Sequence, residues 1–328
     1  MTAGGRAAGL LAGIGRTPLV ELDTAALGLP PREAARVRIF AKLEARNPGG
    51  SVKDRPVARM LQEAIAAGVL RPGDPGGRRL LDSSSGNAGI AYAMLGAALG
   101  VPVTLVVPGN ASRERLERIR AHGAELILTD PVEGYDFALR EAQRLAAAHP
   151  DRYFHCDQYG NAGNWRSHHD GTGAEILAEV TAATGAPPDA FVSGIGTGGT
   201  LTGVGRRLRA SRRDTFILAV IPEAFPGIEG LKPLGAPGDI VPAILDEALI
   251  DERLVVTSEE AADMCLRLAA QGLFTGPSSG ANVHAALHAA GRRGVRTVAT
   301  LLCDTGERYL STGMWERTAV RAGDATAT

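Results

Sequence analysis

The sequence predicts an α/β protein with a largely parallel sheet, arranged in two lobes. Its 328 residues, 45% of them apolar, are enough for a sizeable core in two parts. Short apolar runs, several rich in Val and Ile, alternate along the chain with amphipathic stretches of helical length. Strand, helix and strand repeated in this order are typical of parallel sheets covered by helices.

Six short apolar segments are predicted to be buried strands, because several are rich in Val and Ile and bounded by Gly, Pro or Asp. They are residues 37–43, 101–107, 125–128, 190–192, 216–221 and 295–302. A further segment, residues 79–81, is strand-like and precedes a polar turn.

Seven amphipathic segments are predicted to be helices, and two of them end at a glycine, Gly68 and Gly100, which is a common helix stop. They are residues 56–68, 88–100, 112–122, 135–149, 171–183, 258–272 and 281–290. Residues 1–19 are predicted to be a loose start and a short helix, since their apolar run is too short and glycine-rich for a signal peptide. The polar tail after Trp315 is predicted to fray.

Composition excludes several classes of partner. Lys and Arg total 35 against 36 Asp and Glu, so the net charge of −1 offers no general attraction to nucleic acid or to an anionic membrane. No run of about 18 apolar residues predicts a spanning helix. Three widely spaced cysteines without a CxxC exclude a disulfide scaffold and fit a reducing, cytoplasmic compartment. The adjacent His168 and His169 diverge, so no metal site is predicted.

A glycine turn followed by a lysine occupies residues 47–56, Asn-Pro-Gly-Gly-Ser-Val-Lys-Asp-Arg-Pro. Ser51 is predicted to be a helix N-cap, with Lys53 in the first turn. A lysine is unfavourable there, because a helix N-terminus already carries positive partial charge. The positive partial charge of the helix N-terminus also lowers the pKa of the lysine amine. The neutral amine is the form that makes a Schiff base. A surface lysine beside an ordinary turn is the alternative.

Two further turns are predicted to bind anions at helix starts. Residues 82–89, Asp-Ser-Ser-Ser-Gly-Asn-Ala-Gly, offer backbone N–H groups and hydroxyls for a carboxylate or phosphate, although a plain strand-to-helix turn has the same composition. Residues 193–200, Ser-Gly-Ile-Gly-Thr-Gly-Gly-Thr, predict a loop around a phosphate. They contain GxGxxG, but no acidic residue stands in the ribose-binding position and no GK[ST] follows, so a phosphate monoester fits better than NAD or a nucleotide.

A fourth turn at residues 276–281, Gly-Pro-Ser-Ser-Gly-Ala, by itself indicates only a helix cap. Together the four turns supply a lysine, two anion-binding helix starts and a hydroxyl. A phosphorylated, carbonyl-bearing cofactor acting on a carboxylate substrate needs this set, and pyridoxal phosphate acting on an amino acid meets that description.

These motifs resemble the cysteine synthase/cystathionine β-synthase family of fold-type II pyridoxal-phosphate enzymes. AKLEARNPGGSVKDRP, SSGNAG, GTGGTLTGVGR and GPSSGAN occur in the family's order, and the resemblance runs from Ile14 to Ser311. It implies two three-layer α/β/α lobes, as in the tryptophan synthase β subunit, with the cofactor in the cleft between them. It leaves no room for an appended regulatory domain after Trp315.

The resemblance implies a role for each residue around the cofactor. Lys53 is implied to form the Schiff base, Asn87 to contact the cofactor's 3′-oxygen, and Ser278, in preference to Ser279, to hydrogen-bond the pyridine nitrogen. A neutral hydroxyl at that nitrogen would favour β-elimination over fuller carbanion chemistry. The residues implied to hold the phosphate are Gly196, Thr197, Gly198, Gly199 and Thr200.

The substrate carboxylate is implied to bind a loop that is commonly Thr-Ser-Gly-Asn-Thr in the family. The matching residues here are Ser84, Ser85, Gly86, Asn87 and Ala88. The hydroxyl missing at Ala88 removes one carboxylate contact and leaves the amino-acid substrate open. Gln158 is implied to lie near the same carboxylate, and Gly230, in a loop that departs from the common pattern at Glu229, near the substrate amine.

The implied reaction is β-replacement on an O-activated L-serine through an aminoacrylate intermediate, with O-acetyl-L-serine and sulfide giving L-cysteine and acetate. Other nucleophiles stay open: an amine giving a 2,3-diaminopropionate-type product, a thiocarboxylated carrier protein, or homocysteine. O-phosphoserine stays open as the donor, although Glu223 would disfavour a phosphate if its loop lined the cleft. A serine/threonine dehydratase-type lyase and a binding module without chemistry are further alternatives, and the presence of Lys53 argues against the last.

The implied partners are an amino-acid substrate and a small nucleophile, and the implied assembly is a homodimer. The smaller lobe is expected to span residues 48–163. The larger lobe is expected to combine residues 1–47 with residues 164–328.

Overall fold

The computed structural model describes residues 3–74, 76–84, 86–109, 111–235 and 239–316. The strands are β1 (Leu19–Glu21), β2 (Arg38–Leu43), β3 (Arg79–Ser83), β4 (Val103–Pro108), β5 (Glu125–Thr129), β6 (Tyr153–His155), β7 (Ala190–Gly194), β8 (Phe216–Pro222), β9 (Glu252–Val256) and β10 (Thr297–Leu302). The helices are α1 (Ala3–Ala12), α2 (Pro31–Ala34), α3 (Asp54–Ala66), α4 (Asn87–Leu99), α5 (Arg113–Ala121), α6 (Gly134–Ala148), α7 (Ala162–Ser167), α8 (Gly173–Thr184), α9 (Gly199–Ser211), α10 (Ser258–Ala270) and α11 (Pro277–Ala290). Among the helices of these residues, none combines the length and the hydrophobicity that a membrane-spanning segment requires.

The larger sheet has six strands in the order β1-β2-β10-β7-β8-β9, and only β1 runs antiparallel to its neighbour. Residues that alternate along its strands face opposite layers, as the two-residue period of a strand requires. Val192 and Leu218 pack in one apolar cluster with residues of α10 and α11. Phe191 and Ile217, one position earlier on each strand, pack in another with residues of α8 and α9. The lobe therefore has three layers.

The smaller sheet has four parallel strands in the order β5-β4-β3-β6. Leu80 and Leu105 pack with residues of α3, α4 and α5 on one face. Leu81 and Val106 pack with Ala138 and other residues of α6 on the opposite face. This second lobe has three layers as well, so the predicted α/β/α architecture is confirmed.

The predicted elements agree closely with the structure. All six predicted strands are present, and residues 79–81 begin β3. Gly68 and Gly100 have φ of +70° and +71°, the left-handed conformation expected at a helix stop. Three strands were missed, β1, β6 and β9. The tail after Trp315 lies outside the described residues apart from residue 316.

The two sheets divide the sequence in the manner expected for two lobes. The strands of the four-stranded sheet all fall between residues 79 and 155, and those of the six-stranded sheet fall within residues 19–43 and 190–302. The exact lobe boundaries, at residues 48 and 163, stay a prediction.

Candidate active site

A cavity of about 570 Å³ lies between the two lobes, and residues of both line it. It collects residues from the four turns that the sequence singled out. Twelve of the predicted site residues line it: Lys53, Ser84, Gly86, Asn87, Ala88, Gln158, Gly196, Thr197, Gly198, Thr200, Gly230 and Ser278. Gly199 begins α9 beside it, and Ser85 lies outside the described residues. Chain segments more than 200 residues apart thus meet at one cavity.

Lys53 is the N-cap residue of α3, and its side chain reaches the cavity. The prediction that Ser51 is the N-cap was wrong, because the helix begins at Asp54. Ser51 instead pairs with Asp304 in an isolated antiparallel bridge, and its hydroxyl accepts a hydrogen bond from the Lys53 N–H at 3.2 Å. Burial lowers the pKa of the Lys53 amine, with Cys303 and Asp304 acting in the opposite direction. The structure therefore favours the neutral, nucleophilic amine.

The start of α3 is fixed to the larger lobe by a buried ion-pair network around Arg55. Its guanidinium donates to Glu44 at 2.7 Å and, through the other nitrogens, to Glu175 at 2.7 and 2.8 Å. Lys42, fully buried, pairs with Glu175 at 3.0 Å. Breaking a buried pair leaves an uncompensated charge, so this network holds the backbone next to Lys53 firmly in place.

The turn before α4 is held by its own polar groups. The Ser84 hydroxyl accepts hydrogen bonds from the N–H groups of Gly86 at 3.3 Å and Gly89 at 3.0 Å. Asn87 is the first residue of the 13-residue helix, so the helix N-terminus faces the cavity. Gln158, 4% exposed, donates to the carbonyl oxygen of Ser83 at 2.9 Å. This corner offers backbone and side-chain donors to an anion.

The glycine-rich loop after β7 leads into the N-terminus of α9. Gly198 is its N-cap, with φ of +80°, a conformation that side chains other than glycine rarely adopt. A Cβ at Gly196 would lie 2.6 Å from the carbonyl oxygen of Gly230, so the close approach of the two loops requires a glycine. The hydroxyls of Thr197 and Thr200 also line the cavity. The loop combines hydroxyls with a positively polarised helix start, as a phosphate site requires.

The two serines at the start of α11 have different surroundings. Ser278 lines the cavity and is 4% exposed. Ser279 is fully buried, and its hydroxyl accepts a hydrogen bond from the Cys303 N–H at 2.8 Å. Only the first hydroxyl reaches the cavity. Cys303 also lines the cavity, but burial raises the pKa of its thiol to about 12, so it is a neutral thiol at neutral pH.

Several cavity residues were missed because no local motif marks them. Tyr135 and Tyr159 form a tilted ring pair at 6.4 Å, and the hydroxyl of Tyr135 donates to the Ser83 carbonyl oxygen at 2.7 Å. Lys232, from the larger lobe, forms an ion pair with Asp136 of α6 at 2.8 Å. The available signals were their neighbours in the sequence, since Tyr159 directly follows Gln158 and Lys232 lies two residues after Gly230.

A second ion pair joins the lobes near the mouth of the cavity. Arg115 on α5 contacts Glu229, which lines the cavity beside Gly230. The guanidinium of Arg115 also lies over the ring of Tyr309, 5.3 Å from its centroid. Glu223, which would have opposed a phosphate in the cleft, does not line the cavity. Its carboxylate accepts from the Ser258 N–H at 2.6 Å, at the start of α10.

The donor set of this cavity fits pyridoxal phosphate. It presents the amine of Lys53, a helix N-terminus with two threonine hydroxyls for a phosphate, and the hydroxyl of Ser278. The helix start at Asn87 remains for the carboxylate of an amino acid. This division of groups matches a cofactor with one phosphate and one carbonyl carbon.

Comparison with known proteins agrees with this fit. A family model described as pyridoxal-phosphate dependent enzyme matches residues 10–304, and the chain belongs to this family. The chain is 42% identical to the cysteine synthase of Aquifex aeolicus over 310 aligned residues. The alignment covers 92% of this chain and 90% of that protein.

Solved structures of the same fold cover nearly the whole chain. The crystal structure of O-ureido-L-serine synthase matches with a TM-score of 0.82 and 36% identity, over 94% of each chain. A cysteine synthase from Entamoeba histolytica matches with the same TM-score and 33% identity, over 94% of this chain and 90% of that one. The predicted fold-type II architecture and the pyridoxal phosphate requirement are confirmed.

Proposed function

We propose that the protein catalyses β-replacement on an O-activated L-serine, with O-acetyl-L-serine and sulfide giving L-cysteine and acetate. The observation that carries this proposal is the buried amine of Lys53 in a cavity that also holds two helix N-termini. When bound beside Lys53, pyridoxal phosphate would supply an electron sink for the α-carbon of the amino acid.

Lys53 is the group that moves the proton. Burial lowers the pKa of its amine, which favours the neutral form, and a neutral amine would take the α-proton of the substrate and later return it. The other titratable side chains lining the cavity lie on loops and helix starts around it, and four of them are carboxylates, at Glu133, Asp136, Glu229 and Asp239. Lys53 therefore serves as both the attachment point and the base.

The loop at 196–200 would hold the cofactor phosphate through Gly196, Thr197, Gly198, Gly199 and Thr200. His168, whose ring nitrogen lies 3.3 Å from the Thr200 hydroxyl, is buried, and burial lowers its pKa well below the usual value. The ring is therefore neutral, and its N–H can be donated to the Thr200 hydroxyl oxygen, which leaves the hydroxyl hydrogen free for a phosphate oxygen. Ser278 would face the pyridine nitrogen as a neutral hydrogen-bond partner.

The start of α4 would hold the substrate carboxylate. Ser84, Ser85, Gly86, Ala88 and Gln158 are the residues proposed for this role, with Gly230 near the substrate amine. The Ser84 hydroxyl oxygen already accepts two backbone hydrogen bonds. Its remaining capacity is the hydroxyl hydrogen, which can be donated to a carboxylate oxygen.

A nucleophile other than sulfide is the second candidate. One observation favours it: O-ureido-L-serine synthase, at 36% identity, covers 94% of this chain. The ion-paired residues Lys232 and Asp136 line the same cavity as Lys53. They provide polar contacts for a nucleophile larger than sulfide, such as an amine.

We also propose that the protein is a cytoplasmic homodimer. The three cysteines are unpaired, and two of them, Cys156 and Cys265, are buried as free thiols, which suits a reducing compartment. Homodimerisation rests on the family resemblance. Sedimentation equilibrium of the purified chain tests it, with twice the mass of 34.0 kDa expected.

Product analysis tests the proposed reaction. The purified holoenzyme is mixed with O-acetyl-L-serine or O-phospho-L-serine, each with sulfide, ammonia or hydroxyurea, and the amino-acid products are identified by mass. L-Cysteine from O-acetyl-L-serine and sulfide, at the highest kcat/KM of the panel, is the expected result. Pyruvate as the main product in every mixture would instead identify a lyase.

A further inference from the structure

The sequence segment 304–311, Asp-Thr-Gly-Glu-Arg-Tyr-Leu-Ser, carries part of the family resemblance but none of the roles described so far. It follows β10 in the larger lobe. Two of its side chains nevertheless contact Asn87, which begins α4 in the smaller lobe. The Asp304 carboxylate accepts a hydrogen bond from Asn87 Nδ2 at 2.7 Å, and Arg308 donates to Asn87 Oδ1.

These two contacts fix the orientation of the Asn87 side-chain amide, with its NH₂ group towards Asp304 and its oxygen towards Arg308. A carboxylate can only accept and a guanidinium can only donate, so the amide cannot rotate by 180° without losing both hydrogen bonds. The NH₂ group of an amide has two hydrogens. One is donated to Asp304, and the other is left for the cavity that Asn87 lines.

Asp304 is itself held firmly. It is 0% exposed, and the hydroxyl of Tyr309 donates to the same carboxylate oxygen at 2.6 Å. Its backbone pairs with Ser51 in an antiparallel bridge, two residues before Lys53. A Cβ at Gly276 would overlap the other carboxylate oxygen, so the backbone at Gly276 packs directly against this side chain.

Arg308 is fixed in a similar way. Besides Asn87, its guanidinium donates to the carbonyl oxygen of Gly49, in the glycine turn before Lys53. Arg118 of α5 donates to that same oxygen at 3.1 Å. The planar guanidinium therefore spans two fixed acceptors, an arrangement that a lysine could not reproduce.

We propose that Asp304 and Arg308 are positioning residues that orient the Asn87 amide so that its N–H group, and not its carbonyl oxygen, faces the 3′-oxygen of pyridoxal phosphate. This inference rests on the proposed role of Asn87 in binding the cofactor. An amide turned the other way would place an oxygen lone pair against the oxygen of the cofactor. The C-terminal segment of the larger lobe thus controls a cofactor contact made by the smaller lobe.

The experiment measures the dissociation constant of pyridoxal phosphate for the full chain by titration, in two backgrounds. Asp304→Ala is compared with the parent, and Asp304→Ala/Asn87→Ala with Asn87→Ala. Asp304→Asn is the conservative variant, since its amide oxygen can still accept from Asn87. Glu307→Gln is the matched control, because Glu307 belongs to the same segment and is exposed.

We expect Asp304→Ala to weaken cofactor binding about tenfold or more in the parent, and by less than about twofold when Asn87 is already alanine. Asp304→Asn is expected to retain affinity within about threefold, and Glu307→Gln within about twofold. An equal loss in both backgrounds, or a loss with Asp304→Asn as large as with Asp304→Ala, would overturn the inference. A loss with Asp304→Asn as large as with Asp304→Ala would show that the negative charge of Asp304, acting on Lys53, is what cofactor binding needs.

Two further measurements keep the outcomes separable. If Asp304→Ala does not fold, Arg308→Met in the same two backgrounds gives the same cycle, with the same expected non-additivity. An unchanged affinity in Asn87→Ala itself would overturn both the role of Asn87 and this inference. Because no substrate is present in the titration, an unchanged affinity in Asn87→Ala would not contradict the proposed β-replacement. That reaction is tested separately by product analysis.

Discussion

At the start of α3, burial and the helix N-terminus act on the same amine. Both disfavour the charged form of Lys53, and burial lowers its pKa. The neighbouring charges are compensated separately, because Arg55 is paired with Glu44 and Glu175. The local structure therefore disfavours the charged form of Lys53, while the charge of Arg55, two residues further on, is stabilised by its ion pairs. An amine must be unprotonated to act as a nucleophile, so this difference between the two side chains suits a nucleophilic role for Lys53.

Lys53→Ala is expected to abolish turnover and to remove the visible absorbance of the bound cofactor, because no other amine occupies this position. The fold is expected to survive, since the Lys53 N–H bond to Ser51 does not involve the side chain. Absorbance spectra and activity of the purified variant are the measurements. Lys232→Ala, which removes the other cavity lysine, is the matched control and is expected to keep the visible band. A coloured, active Lys53→Ala protein would show that the assignment is wrong.

The next residue gives a pH-dependent prediction. Burial raises the pKa of the Asp54 carboxyl from 3.8 to about 6. The folded chain then holds this proton more tightly than the unfolded chain, so its stabilising contribution is present below about pH 4 and is lost as the pH rises through about 6. Asp54→Asn keeps an acceptor for the Gly49 N–H and cannot ionise.

Relative to the parent, Asp54→Asn is therefore expected to gain about 1–3 kcal/mol in the free energy of unfolding between pH 4 and pH 7. Urea unfolding of both holoproteins at several pH values measures the difference. Parallel curves for the two proteins would contradict the raised pKa.

Sequence reasoning found the residues that act through local motifs but not those that act across the fold. Lys53, Asn87 and Ser278 each sit in a glycine- or serine-rich turn at a helix start, and such turns are visible in the sequence. Asp304 and Arg308 lie more than 200 residues from Asn87, and neither has a local signal for that contact. Their meeting is a consequence of how the two lobes pack.

At the scale of elements, the anion-binding loops depend on how each helix begins. α9 begins after a left-handed glycine, Gly198, whose missing Cβ would lie 2.9 Å from the Cβ of Leu245. A side chain at this position would therefore press on Leu245 and strain the backbone, which would displace the loop. The effect on a bound phosphate would be indirect.

Gly198→Ala is expected to weaken the binding of pyridoxal phosphate by about tenfold or more, since a strained position of this kind costs about 1–3 kcal/mol. Binding of pyridoxal, which lacks the phosphate, is expected to change much less. Titration of the two compounds measures both effects. Gly205→Ala is the control in the same helix, because its nearest neighbour, Leu249, would be 3.4 Å away. Equal losses for the two compounds would contradict a phosphate role for the loop.

The strands that sequence reasoning missed share a physical cause. β1 and β6 have three residues each, too few to show a pattern. β9 lies at the edge of its sheet and alternates between half-buried and exposed residues, so Glu252–Val256 lacks a continuous apolar run. All three are edge strands of their sheets. Buried central strands, in contrast, were found within one to two residues of their ends.

At the scale of the whole molecule, two ion pairs join the lobes beside the cavity. Lys232 and Asp136 are 2.8 Å apart, with side chains 11% and 35% exposed, and Arg115 contacts Glu229. Each pair joins one residue of the larger lobe to one residue of the smaller lobe. Because attraction between partly buried charges persists at moderate ionic strength, these pairs help to hold the two lobes together beside the cavity.

Lys232→Met and Asp136→Asn are each expected to lower the free energy of unfolding by about 1 kcal/mol. The double variant is expected to lose less than the sum of the two, because each single change already removes the pair. Urea unfolding of the holoenzyme measures all three variants. Strict additivity would show that the two side chains contribute independently.

Lys53 and the two lobes that enclose it are proposed to carry out a replacement reaction in two halves. Acetate release from O-acetyl-L-serine, followed in the absence of any nucleophile, tests this two-step reaction. A rapid release of one equivalent per active site that then stops, and resumes with L-cysteine formation when sulfide is added, is the predicted result. Continuous acetate release accompanied by equal amounts of pyruvate and ammonia would contradict it.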